Sequence, residues 1–309
     1  MQSLRMVLLC AAMAMSLNFG LGQTVPPSSA PTDGLEGTLA YHLATNALGH
    51  ARGYSGSYDD TLELSKWVYA IYSKSNLACL TNAVWSTRFW LHGVKGLSAT
   101  SIGFKEGMGG QGMVTMVSPR HYLFATHMHP ETYTMAFLDT NNVIQWRTTL
   151  ERLDLTGDIS VGIINADLPP SVGYLPILPA NYTNYLSVKL NPVVQGIGMN
   201  QQMRLFSEPM DFGSPGVVFW NSHVAVPFGL GTNWNVTLGG GDSSNPAMLL
   251  INNQLVLASH NFFVQGGPNY SAKMDAINEA MHRLSTRHHL RTDYQLTPFS
   301  LKNWRITNH

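Results

Sequence analysis

Gly239-Gly240-Gly241-Asp242-Ser243-Ser244-Asn245-Pro246-Ala247-Met248-Leu249-Leu250 is the stretch on which the fold and chemistry of this chain turn. A glycine run permits positive φ and a close approach of backbone to a ligand. Asp242 and Ser243 stand just ahead of the apolar run Ala247 to Ile251, which predicts a buried strand. A serine held on such a turn presents its hydroxyl to a cleft while neighbouring backbone N–H groups point the same way. That pairs a nucleophile with an oxyanion hole. The same residues also suit a plain Gly-Asp-Ser surface turn between two strands. The rest of the chain has to decide between them.

Working outward, Asn252-Asn253 predicts a tight hairpin turn joining Met248 to Ile251 with Gln254 to Ser259. Val193 to Gly196, Val217 to Trp220 and Val224 to Phe228 are further short apolar runs of strand length. An earlier set comprises Met113 to Ser118, His121 to Thr126, Met135 to Leu138, Val143 to Arg147 and Ile159 to Ile164. Turn residues such as Ser118-Pro119 and Asn141-Asn142 punctuate it. The Pro-rich passage Leu168 to Pro192 separates the two sets. Two sets of antiparallel strands in tandem predict an all-β core of two barrels, about 97–180 and 190–270.

Helical patterns flank this core. Leu64, Trp67, Val68, Ile71 and Tyr72 form a one-faced stripe, preceded by Asp60 and Glu63 at capping-box spacing. Leu77 to Leu91, with Trp85, Phe89 and Trp90, predicts a second helix packed on the first, within an N-terminal helical segment 35–96. Met274, Ile277, Met281 and Leu284 line one face of a C-terminal helix over 271–285. Residues 286–309 are polar and irregular, which predicts a peripheral or partly mobile tail.

Composition narrows the classes. Charged residues make up 12% of the 309-residue chain and the net charge is +0. That argues against nucleic acid or an anionic membrane as the main partner. Arg5, the apolar run Met6 to Leu17 and the small-residue exit at Phe19-Gly20-Leu21-Gly22 form a secretory signal over residues 1–22, with Ala14 as an alternative cleavage point. Residues 23–34 read as a Pro/Ser-rich linker. A secreted or periplasmic location is therefore expected, with no membrane anchor once the signal is removed. Cys79 would then be the sole cysteine, excluding an internal disulfide and suiting a buried apolar role. Asn181, Asn235 and Asn269 each open an Asn-x-Ser/Thr sequon.

Three stretches carry the chemistry. Met116-Val117-Ser118-Pro119-Arg120-His121-Tyr122-Leu123-Phe124-Ala125-Thr126-His127 ends on a histidine. Gly157-Asp158-Ile159-Ser160-Val161-Gly162-Ile163-Ile164 puts an aspartate at the mouth of a buried strand, and the glycine loop supplies Ser243. In this order they resemble the histidine, aspartate and serine motifs of the chymotrypsin-like (trypsin-fold) serine proteases. Val194-Gln195-Gly196-Ile197-Gly198-Met199-Asn200, Leu255 to Ser259 and the helix after Asn269-Tyr270-Ser271 resemble secondary landmarks of that family. The match spans roughly residues 97 to 285 and implies two tandem antiparallel barrels.

The resemblance implies a serine-type peptidase acting on polypeptide, with no cofactor and no metal. Ser243 would be the nucleophile, His127 its general base and Asp158 the group that orients the imidazole. The N–H groups of Gly241 and Ser243 would form the oxyanion hole. Thr237, six residues before the nucleophile, would lie at the base of the specificity pocket, with Ser259 and Asn261 as further pocket candidates. Asp242 would order the loop through a buried ion pair in the family. Here no Ile-Val-Gly-Gly start exists to supply the partner, so another group or the segment 35–96 must do so.

Ser244 and Asn245 replace two usual glycines, and their side chains are expected either to crowd the oxyanion loop or to force φ values that Ser and Asn tolerate less well than Gly. Asp154 is a substitute for Asp158 four residues earlier. Two other classes stay open: a catalytically inactive trypsin-fold protein that binds a partner in the same cleft, and a metal-dependent hydrolase built on His127-Met128-His129 with His121 near in sequence.

Overall fold

The computed structural model describes residues 36–53, 72–73, 83–87, 89–104, 113–128, 133–186, 193–201, 203–214, 216–224, 226, 229–230, 238–262 and 266–307. The signal and linker, the stripe from Leu64 to Ile71 with its capping box, Cys79, His129, Asn235 and Thr237 lie outside the described residues. Among the described residues no helix is long and apolar enough to cross a membrane.

The core is two curled antiparallel sheets of six strands each. The first contains β3 (Gly103–Phe104), β4 (Thr115–Met116), β5 (His121–Ala125), β6 (Thr134–Leu138), β7 (Ile144–Leu155) and β8 (Ile159–Ile164). Their order is β3-β6-β7-β8-β5-β4. A bridge between Thr100, just ahead of β3, and Thr115 in β4 brings the two edges of this sheet together. β8 is buried at every residue, as its continuous apolar sequence demands. Gly162 within it is obligatory, because an added Cβ would lie 2.0 Å from the Tyr122 ring on the paired strand β5. A separate two-stranded ribbon pairs β1 (Tyr72–Ser73) with β2 (Val84–Trp85).

The second sheet contains β9 (Val193–Met199), β10 (Leu205–Ser214), β11 (Val217–Trp220), β12 (Pro246–Ile251), β13 (Gln254–His260) and β14 (Gly266–Pro268), in the order β13-β12-β9-β10-β11-β14. Asn252 and Asn253 both take positive φ, 49° and 58°, which is the backbone of the expected hairpin turn. The edges converge here too. The Phe262 N–H, just past β13, donates to Gly266 O in β14. Taken round in this way, both sheets have one neighbour order: first, second, third, sixth, fifth, fourth. A repeat that leaves no mark in the residue types is therefore present in the topology.

Most expected strands are found within a residue or two, and β8 and β11 match at both ends. Tyr72, the last residue of the expected helical stripe, lies in strand β1 instead, and three strands of the two six-stranded sheets gave no signal. β3 is two residues long and β14 is Gly-Gly-Pro. β10 carries Glu208, Pro209 and Asp211 and lacks clean alternation. Val224 to Phe228 is not a strand where it is described: residues 222–224 form a turn, and 225, 227 and 228 lie outside the described residues.

The helix expected over Leu77 to Leu91 is also corrected. Its described part, from Ala83 on, is the strand β2 followed by turns. The aromatics there act singly, with separate backbone partners. The Trp85 indole N–H donates to Asp139 O, and that of Trp90 to Leu205 O in the second sheet. Partners so far apart in the chain hold this segment away from helical periodicity.

Helix α1 (Leu39–Gly53) inserts Leu39 and Leu43 into the core of the second sheet and Ala47 and Ala51 into the larger core shared with the first. Helix α2 (Met274–Arg287) buries Ile277, Met281 and Leu284, the face its sequence predicts. The tail is irregular but firmly docked. Ile177 bonds Thr297 and Phe299 through its backbone, Leu301 is buried, and the Trp304 ring packs on His42 of α1.

Candidate active site

Asp158 and His127 meet because β5 and β8 are paired. The register ends at Ala125 opposite Ile159, and the β7–β8 turn closes with positive φ at Gly157 and Asp158, 88° and 64°. The Thr126 N–H donates to Asp158 O, extending the ladder by one bond. His127 then sits in a single 3-10 turn, Thr126–Met128. Its backbone N–H donates to Asp158 Oδ1 at 2.9 Å and its Nδ1 lies 2.7 Å from Oδ2. The aspartate side chain is 10% exposed and the imidazole 41%. The ring thus spends Nδ1 on the carboxylate and keeps Nε2 for a group at the surface. Asp154, the alternative carboxylate, instead lies 2.6 Å from Ser160 Oγ.

A second imidazole stands on the inner side of this carboxylate. His260, at the end of β13, is buried and places Nε2 at 3.8 Å from Asp158 Oδ2. Its Nδ1 is hydrogen-bonded to the Tyr270 hydroxyl, also buried. Burial alone would raise the Asp158 carboxyl. The N–H of His260 and the backbone and ring N–H groups of His127 outweigh it and hold that carboxyl below the usual carboxylate range. Burial keeps His260 below the ordinary imidazole range although Asp158 pulls the other way.

The serine loop is organised by Asp242, which is 4% exposed. Its two carboxylate oxygens accept from the backbone N–H groups of Gln201 and Gly239, both at 2.6 Å. No ion pair forms at Asp242 among the described residues: neutral backbone donors take the place of the expected ion pair. Gly241 takes φ 98°, and an added Cβ would lie 2.6 Å from Gln201 Oε1. The Gln201 amide also donates to Gly240 O.

Ser244 and Asn245 do not crowd the loop; they anchor it. Ser244 adopts φ 73° and is 1% exposed. Its Oγ accepts from the Ala125 N–H at 3.1 Å and donates to Met113 O at 3.0 Å. Asn245 Oδ1 accepts from the Met113 N–H at 3.1 Å. The two residues that depart from Gly-Gly therefore tie the serine loop to the first sheet, two residues from His127.

Ser243 is half-buried at this junction. Its Oγ donates to Phe262 O at 3.5 Å, and the Phe262 ring packs on the His127 ring with centroids 5.6 Å apart. Among the described residues no hydrogen bond joins Ser243 Oγ to His127. Among the same residues the N–H groups of Gly241 and Ser243 have no acceptor.

The pocket candidates play backbone roles where they are described. Ser259 Oγ donates to His260 O. Asn261 is 2% exposed, exchanges backbone hydrogen bonds with Ser244 and Asn245, and accepts the Trp220 indole N–H through Oδ1. Among the described residues no three metal-binding side chains are placed to hold an ion, and His129 of the metal-dependent alternative lies outside them. The Asn269 sequon is fully buried, its amide bonded to Tyr182 and Ser271.

Sequence reasoning overlooked His260, Tyr270 and the anchoring by Ser244 and Asn245. The one available signal was a histidine in an otherwise apolar strand directly after Ser259. No protein-family model matches this chain, and no curated protein matches it by sequence.

Proposed function

We propose that the chain is an exported serine endopeptidase of the chymotrypsin-like kind, acting through Ser243, His127 and Asp158 and an acyl-enzyme intermediate. The observation that carries this reading is the two-point grip of Asp158 on His127, at 2.9 and 2.7 Å, beside a serine loop anchored to the same strand. The shared neighbour order of the two sheets supports a tandem-barrel relationship.

A serine hydroxyl is a poor nucleophile at neutral pH and needs a base of pKa near ~6.5 beside it. In this mechanism Ser243 Oγ leaves Phe262 O for His127 Nε2. His127 takes the hydroxyl proton as Oγ adds to the scissile carbonyl carbon. The carbonyl oxygen becomes an oxyanion received by the N–H groups of Gly241 and Ser243. Collapse breaks the C–N bond, and His127 gives its proton to the leaving amine. Water repeats the sequence on the acyl-enzyme and restores Ser243. Asp158 stays ionised throughout and stabilises the imidazolium.

A second reading has one observation in its favour: the hydrogen bond of Ser243 to Phe262 O, which suits a cleft that binds polypeptide without cleaving it. A fluorophosphonate probe separates the two. Adduct mapped to Ser243 in the wild type and lost in Ser243→Ala supports the hydrolase. Folded protein that stays unlabelled, before and after limited proteolysis between residues 23 and 100, overturns it in favour of binding.

A further inference from the structure

We infer that His260 and Tyr270 form a second, inward-facing support for Asp158, so that His260 is a positioning residue for the carboxylate that orients His127. The inference deepens the serine-hydrolase reading and rests on it for its kinetic consequence. Its geometric part stands alone.

Hydrogen-bond polarity dictates the tautomer. Tyr270 is 1% exposed, and burial pushes its hydroxyl well above the ordinary tyrosine range, so it keeps its proton. Its one hydrogen-bond partner among the described residues is His260 Nδ1; accepting there would orphan the hydroxyl proton and turn a bare Nε2 lone pair toward Asp158, so it donates and Nδ1 is the unprotonated ring nitrogen. A neutral imidazole carries one proton, and that leaves it on Nε2. His260 Nε2 is buried without a hydrogen-bond partner, and Asp158 Oδ2 faces it at 3.8 Å. At that distance the pair is a charge–dipole contact, one that shortens into a hydrogen bond with a small shift of the carboxylate. The titratable groups facing the ring are Asp158, His127 and Tyr270.

The backbone holds the ring in place. His260 pairs with Pro246, three residues past Ser243. A Cβ at Gly267 would fall 1.6 Å from His260 O, so only glycine lets β14 close against this residue. His260 thus supplies Asp158 with a neutral donor rather than a second positive charge. A cation there would compete with the imidazolium that His127 forms; a neutral N–H leaves the carboxylate charge to His127.

Two measurements on the purified chain test this. Imidazole nitrogen NMR should find, besides buried His121, a histidine that stays neutral as pH falls through the ordinary imidazole range, with its proton on Nε2. That signal should vanish in His260→Gln and shift in Asp158→Asn and in Tyr270→Phe. A proton on Nδ1, or no response to Asp158→Asn, overturns the inference whatever the enzyme does. The second measurement is the pH dependence of fluorophosphonate labelling at Ser243, in variants whose folding is confirmed by melting. His260→Leu should label about tenfold more slowly, with the midpoint of its acid limb raised, because the carboxylate loses a donor, is less firmly placed and holds the His127 imidazolium more tightly. His260→Gln retains an amide donor and should stay within about threefold of wild type. Equal rates and midpoints in a folded His260→Leu, or equal loss in both variants, overturn it. Wild-type protein that never labels overturns the hydrolase reading instead, while the NMR arm still decides the tautomer and the contact.

Discussion

The two halves of the site are built in opposite ways. His127 and Asp158 belong to one sheet, and their contact continues the β5–β8 ladder by a backbone bond and then two side-chain bonds. Ser243 belongs to a loop with left-handed backbone at Gly241 and Ser244, held by side-chain oxygens that accept from backbone N–H groups. A base must be oriented, and a ladder orients it at little cost. An oxyanion hole needs N–H groups left unpaired, which regular structure forbids. The loop therefore draws its rigidity from Asp242, Ser244 and Asn245 and leaves the Gly241 and Ser243 N–H groups without acceptors among the described residues.

The largest expected effect breaks the first half. Asp158→Asn keeps the shape but replaces an acceptor of the His127 ring N–H with an amide that favours the wrong tautomer. Labelling of Ser243 should fall by about 10³–10⁴. The melting temperature should fall too, because the Asp158 carboxyl is held below its ordinary range by burial-opposing hydrogen bonds. A depressed carboxyl stabilises the fold above its unfolded pKa, and that contribution disappears as pH drops through the folded value. Unchanged labelling would remove the triad.

Breaking the second half should show mainly as stability. Ser244→Ala leaves the Ala125 N–H and Met113 O without their partner inside the protein, at about 1–3 kcal/mol for each orphaned group. Denaturant unfolding should register a loss of about 2–4 kcal/mol, with slower labelling as the loop loosens from β5. A neutral outcome would show that the tie between loop and first sheet is dispensable.

Smaller effects distinguish the sheets themselves, which bury strongly shifted groups of opposite sign. In the first, burial pushes His121 down to about 4; its ring bonds Ser118 and, across to α2, Ser285. The unfolded chain takes up that proton first, so stability is lost as pH falls from about 6.5 to about 4, on the order of 3 kcal/mol. In the second, burial pushes Glu208 up to about 7 against a hydrogen bond from Ser222. The folded state then holds the extra proton, and stability is lost as pH rises from 4.5 to about 7. His121→Gln should flatten the acid side of the melting profile. Glu208→Gln should raise stability at pH 8 by about 1–2 kcal/mol and change little at pH 4. Parallel profiles for the two variants would contradict these opposite signs.

Most of this architecture was legible where burial imposes continuous apolar runs. β8 and β11, the Asn252-Asn253 turn and the buried face of α2 follow from residue type and period. Legibility failed where long-range partners replace periodicity. Trp85 and Trp90 resemble a helical stripe only until their indoles find separate carbonyls. Strands as short as β3, or as glycine-rich as β14, exist because neighbours pair with them. His127, Asp158 and Ser243 could be nominated from motif order, but Asp242's partners could not. Backbone N–H groups have no residue identity to read.

The sequence alone determined the strand-rich class, the two tandem sets and the C-terminal amphipathic helix, and it nominated the three stretches proposed to carry the site, since apolar period, turn chemistry and motif order are local properties. Only the tertiary structure decided that Ser244 and Asn245 strengthen the serine loop, that His260 and Tyr270 stand behind Asp158, and that both sheets share one neighbour order. These depend on which backbone groups meet across tens of residues, and hydrogen bonds to backbone are open to almost any residue in the chain.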